Sequence, residues 1–196
     1  MKKLKNKGFT LIELLIVITL LGILAVAVLS AINPIEQINR SKDTARQGDC
    51  EQLINATDRY YASKGYYPWM VAGDSAVPQA WDGVDTGWVD DGGTEVLSAK
   101  LASGGSAEIK SSFASRISAL TPTLQVYNLG TQGDSTYVCF LPNSADFREK
   151  AWYRCTESGG FGTLPTDYPG SACPAGATCA GAATADAATA CYSCLP

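Results

Sequence analysis

The sequence predicts an α+β protein: a long, kinked N-terminal helix, half of it of membrane length, packed against a small antiparallel sheet and followed by a loop-rich, disulfide-stapled tail. Three observations predict it. Phe9 to Ile32 is a run of 24 residues with a single charge, Glu13. Apolar residues then recur at helical spacing as far as Tyr61, and short alternating segments follow between residues 124 and 155.

The apolar run comes first. At ~1.5 Å per residue it spans about 36 Å as a helix, enough for a hydrocarbon core of roughly 30 Å. Lys2, Lys3, Lys5 and Lys7 precede it, whereas Glu36, Arg40, Lys42 and Asp43 of mixed sign follow. That asymmetry predicts a single pass through the cytoplasmic (inner) membrane, with the N-terminus cytoplasmic and the rest outside. Three readings compete: a plain anchor, a secretory signal peptide cut near Ala25-Val26-Ala27, and a segment cut between Gly8 and Phe9. The apolar part exceeds the ~7–15 residues of a signal peptide, and a carboxylate inside it is a functional suspect. The third reading alone gives Glu13 a role, as the partner of a new α-amino group at Phe9 on the same or a neighbouring chain.

The stretch Lys5-Asn-Lys-Gly8-Phe9-Thr10-Leu11-Ile12-Glu13 resembles the leader and cleavage site of type IV pilins and type II secretion pseudopilins, and the likeness extends to Leu24. The resemblance implies Gly8 as the residue after which a prepilin peptidase cuts, Phe9 as the N-methylated new terminus, and Glu13 as the assembly carboxylate. It implies a pilin-like fold, storage in membrane lipid, an inner-membrane assembly machinery, and a homo-oligomeric or mixed filament at the cell surface or in the periplasm. Family members commonly have a glycine and a proline where the first half of the helix unwinds on assembly. Gly22 occupies the glycine place; Ser30 stands where the usual proline falls, and Pro34 comes four residues later.

The elements after the run follow in order. Pro34 lacks an N–H and pushes Asn33 out of helical geometry, so a kink is expected there. Ile35, Ile38, Ala45, Leu53, Ile54, Thr57, Tyr60 and Tyr61 continue the helical pattern, and Gly65 with Tyr67-Pro68 ends it. One kinked helix over 9–64 is expected. Residues 66–94 read as a loop. Thr94–Leu101 and Ala107–Leu120 read as short helices, the second with Ile109, Phe113, Ile117 and Leu120 on one face. Leu124–Leu129 and Tyr137–Leu141 predict a hairpin, Asp146–Lys150 a polar turn or one helical turn, and Ala151–Cys155 a third strand. The division expected is 1–8 leader, 9–34 transmembrane and assembly helix, and 35–196 head, itself split into 35–64, 66–94, 95–170 and a tail over 171–196.

Seven cysteines occur, and outside the cytoplasm disulfides persist. Cys139 and Cys155 fall on neighbouring expected strands and are paired. Cys173, Cys179, Cys191 and Cys194 have three possible pairings, and their Cys191-x-x-Cys194 spacing also admits zinc, although Cys173 and Cys179 lie too far apart for a zinc ribbon. In pilins a disulfide near the C-terminus often staples a surface loop. Cys50 falls on the helix stripe as a buried thiol. Asp82, Asp85, Asp90 and Asp91 are weak calcium candidates; their spacing misses the helix-loop-helix pattern, and Asp and Gly populate turns in any case.

Several functions are excluded by composition. No histidine is present, which removes histidine-based catalysis, and no glycine-rich phosphate loop occurs. Loss of residues 1–8 removes four of 15 basic side chains, leaving 11 against 19 acidic and a charge of −8. No nucleic-acid binding is indicated for so acidic a chain. Asn55-Ala56-Thr57 matches a glycosylation acceptor but falls on a helix face. The sequence thus predicts no enzyme but a structural subunit of a type IV pilus-like filament. The alternatives are a type II secretion pseudopilin and a membrane-anchored extracytoplasmic binding domain.

Overall fold

The computed structural model describes residues 8–31, 33–70, 79–85, 96–103, 107–130, 133–155, 164–173 and 190–196. They fall into two compact units, Met1–Ile38 and Asn39–Pro196.

The first unit holds helix α1, Leu11–Ala31. Leu, Ile and Val point to every side of it, and those from Leu11 to Leu29 are 47–84% exposed. A helix apolar all round belongs in lipid or inside an assembly. Its two hydroxyl side chains are satisfied locally: Thr19 Oγ1 donates to the Ile16 carbonyl at 2.8 Å and Ser30 Oγ to the Ala27 carbonyl at 2.9 Å. Neither polar group therefore needs water in an apolar setting.

The expected single kinked helix is two helices. Helix α2, Pro34–Lys64, starts afresh. Asn33 caps it, accepting the Glu36 N–H on Oδ1 at 3.3 Å, and Pro34 takes the first helical position, where a missing N–H does no harm. The Asn-Pro pair therefore acts as a stop and restart rather than a kink. α2 ends where predicted: Gly65 takes φ +79° and its N–H reaches the Tyr61 carbonyl at 2.7 Å.

In the second unit α2 buries Asp43, Asp49, Cys50, Leu53, Ala56, Thr57 and Tyr60. From Cys50 onward this is the predicted apolar stripe. Before it, docking is polar. Asp43 is fully buried and accepts the backbone N–H of Asn143 (2.9 and 3.0 Å to its two oxygens) and of Ser144 (2.7 Å). Arg46 donates to the Leu141 carbonyl at 2.8 Å, and Asp49 takes both ends of the Arg116 guanidinium at 2.6 and 2.7 Å. Ile35 and Ile38, expected on the stripe, are 68% and 54% exposed.

The sheet is a four-stranded antiparallel meander in chain order: β1 Gln79–Gly83, β2 Gln125–Asn128, β3 Tyr137–Phe140 and β4 Ser193–Leu195. The β2–β3 hairpin appears as predicted, with Val126 opposite Val138. β1 lies inside what the sequence reads as a loop, and β4 inside the tail. Between β1 and β2 come α3, Leu97–Ala102, and α4, Ser111–Ser118, whose Phe113 and Ile117 are buried. Leu53, Val84, Leu97, Leu101, Ile117, Leu124, Val126, Val138 and Phe140 share the main core. Full burial of each Leu or Ile contributes about 1.5–3 kcal/mol relative to exposure.

Two expectations near the third strand are corrected. Ala151–Cys155 is helical, forming the end of α5, Ala145–Cys155. Ser144 starts that helix, its Oγ accepting the Phe147 N–H at 3.4 Å and its carbonyl the Arg148 N–H at 3.0 Å, and Lys150 pairs with Asp146 one turn away at 2.8 Å. Cys139 and Cys155 are not partners. Cys139 bonds Cys194, the residue directly opposite on β4 with Cα atoms 4.0 Å apart, and Cys155 bonds Cys173, at 5.3 Å. A helix has replaced the strand that would have carried Cys155 beside Cys139. Cys191 is also disulfide-bonded, Cys50 is a buried free thiol, and Cys179 lies outside the described residues.

Candidate functional site

Gly8, Phe9 and Thr10 precede the first helical residue, Leu11, and are exposed. The Gly8–Phe9 bond therefore lies in backbone free of the helical ladder, the conformation a peptidase needs to draw a chain across its active site. A Cβ placed on Gly8 would meet no atom within 4 Å. The Phe9 side chain is 82% exposed.

Glu13 has a partner that the sequence reading missed. Its Oε2 accepts the Thr10 N–H at 3.0 Å and the Thr10 hydroxyl at 2.9 Å, while the Glu13 N–H donates to Thr10 Oγ1 at 3.3 Å. This is a capping box: Thr10 is the N-cap of α1 and Glu13 the third residue within. The Thr-x-x-Glu signature just ahead of an apolar run was available in the sequence. Both Thr10 bonds fall on Oε2, and no described residue engages Oε1. Glu13 thus has one oxygen spent on its own helix and one that can accept a further donor. A carboxylate near a helix N-terminus is also favoured by the helix dipole.

Further along, α1 runs unbroken through Gly22, where Thr19, Ile23 and Val26 flank a shallow notch. The backbone interruption falls beside Pro34. Leu11–Ser30 is long and apolar enough to cross a membrane, by length and composition.

Two of the four calcium candidates fall among the described residues. Asp82 is on β1, Asp85 is exposed just beyond it, and Asp90 and Asp91 lie outside the described residues. Among the described residues no group of three or more His, Cys, Asp or Glu could hold a metal ion.

An apolar, membrane-length helix opened by a capped carboxylate and followed by a small α+β head is consistent with a pilin-like fold, and comparison with known proteins supports the type IV pilin and pseudopilin family. Residues 3–29 match the family model of the prokaryotic N-terminal methylation motif. The type II secretion system core protein G of Pseudomonas aeruginosa is 34% identical over 68 residues, covering 35% of this chain and 46% of that protein. The chain thus spans about half the length of this curated relative. No solved structure matches the chain. The pilin and pseudopilin family is structural rather than enzymatic.

Proposed function

We propose that this chain is a filament subunit of the pseudopilin type, cut after Gly8 by a prepilin peptidase, methylated at Phe9, and polymerised through α1. The observation that carries the reading is a 21-residue helix, exposed and apolar on all sides, that opens on a single carboxylate with one oxygen still open to a donor. Lipid covers that surface before assembly and neighbouring α1 helices afterwards. Transfer from water would gain about 1.5–3 kcal/mol per Leu or Ile; transfer from lipid gains far less, so polar contacts must choose the register. Cleavage creates a cation at Phe9, one residue before the capping box. A neighbour's Phe9 amine on Glu13 Oε1 fixes the axial position of one subunit on the next.

Intact mass of the mature protein tests processing: residues 1–8 should be missing and one methyl group added. Glu13→Ala should still be cleaved but should yield few filaments; normal yield would refute the pairing. The name of the Pseudomonas relative favours a secretion role. A surface pilus is the second reading, favoured by the cross-linked head. Deleting the gene separates them: loss of secreted proteins with surface filaments intact supports the first, and the converse supports the second.

A further inference from the structure

We propose that the head carries a binding site for a small organic monocarboxylate, in the cleft beside β4, with Arg154 as its anchor. The cleft has a volume of about 420 Å³, within the roughly 300–1,000 Å³ of small-molecule sites. Tyr137, Leu164, Pro165, Tyr168 and Leu195 give it apolar and aromatic walls. The Tyr137 and Tyr168 rings meet edge to face in that wall, 5.4 Å apart at 72°.

The charges in the cleft decide which ligand it takes. Arg154 stands in the last turn of α5 and is fixed by donating from Nη1 to the Cys194 carbonyl. The Tyr168 hydroxyl lies beside Arg154, and among the described residues no carboxylate side chain stands within ion-pair distance of the guanidinium. The other charged side chain, Asp167, is occupied elsewhere: its Oδ2 accepts the Ser135 N–H at 2.8 Å and its Oδ1 the Tyr137 hydroxyl at 3.1 Å. A guanidinium fork matches a carboxylate in geometry and charge. The fixed Asp167 charge on the same cleft repels a second anionic group, which selects a monoanion with an apolar body. This site does not depend on the filament reading, because every residue in it belongs to the head.

The test uses the full chain in detergent micelles with phenylacetate as probe and phenylacetamide as its neutral counterpart, read by saturation-transfer NMR. Phenylacetate should receive saturation from the protein and move the ring resonances of Tyr137 and Tyr168, and the amide should bind about tenfold more weakly or worse. Arg154→Gln should weaken phenylacetate by a similar factor, whereas Arg148→Gln on the same helix should leave it unchanged. Equal binding of acid and amide, tyrosine rings unmoved at saturating phenylacetate, or an Arg154→Gln protein that folds and binds as wild type would each overturn the proposal. Should Arg154→Gln fail to fold, the acid–amide comparison and the tyrosine shifts in the unaltered chain decide.

Discussion

Replacing Asp43 by alanine should destabilise the head more than any other single change on the polar half of α2. The carboxylate is fully buried, and two backbone N–H groups 100 and 101 residues away, those of Asn143 and Ser144, terminate on it at 2.7–3.0 Å. Alanine leaves both donors without an acceptor. At about 1–3 kcal/mol for each stranded buried group, the loss comes to roughly 2–6 kcal/mol. A second effect has the same sign. Ser144 begins α5, so Asp43 also places a negative charge at the N-terminus of that helix. Asn at position 43 keeps one acceptor and loses the charge, and should fall between wild type and alanine. Guanidinium denaturation followed by tryptophan fluorescence gives the magnitude, and hydrogen exchange at the Asn143 and Ser144 amides gives the location. An Asp43→Ala loss below about 0.5 kcal/mol, the size of an ordinary surface substitution, would refute the argument.

Other predictions are independent of this one. Removing the Cys139–Cys194 bond by a double serine substitution frees a loop of 55 residues, for which the chain-entropy relation gives about 4 kcal/mol; thermal unfolding should show it, with β4 exchanging first. Cys50 should resist maleimide until the head unfolds, because burial raises its thiol far above the ordinary value and the Asp49 and Glu51 charges add to the rise; rapid labelling of folded protein would contradict the core position. Asp167 titrates below the ordinary carboxylate value, chiefly because the Ser135 N–H donates to its charged form and the Tyr137 hydroxyl adds to this. Its contribution is therefore present above the unfolded pKa near 3.8 and is lost as pH falls through the lower folded value, so Asp167→Asn should flatten the acid limb of the stability curve. Thr10→Val, which removes the cap hydroxyl, should fray the first turn of α1 and lower filament yield without blocking cleavage; unchanged yield would remove the capping box from the assembly step.

Local order was legible in the sequence and long-range pairing was not. The apolar run, the Gly65 terminus and the β2–β3 hairpin each depend on neighbours a few residues away, so periodicity and turn chemistry reveal them. β1 was missed because its partner residues on β2, Gln125–Asn128, lie more than 40 positions further on and its own letters, Gln-Ala-Trp-Asp-Gly, carry no alternation. β4 was missed for the same reason, being three residues long with its partner 55 positions back. Asp43 counted in the sequence only as one of the mixed charges after the apolar run; the distant Asn143 and Ser144 amides make its burial tolerable. The Ala151–Cys155 error shows the opposite failure. Aromatic and small residues in a short run fit helix or strand equally, and the Ser144 cap decided between them. The capping box alone was readable and overlooked.

The staple between Cys139 and Cys194 has a consequence for when the head can be finished. The strands lie in chain order, so the last of them, residues 193–195, closes the sheet beside β3. Its bond to β3 then forms only where thiols are oxidised. On the proposed reading, in which the head is exported, a subunit with β4 locked in place carries a record of its passage into an oxidising compartment.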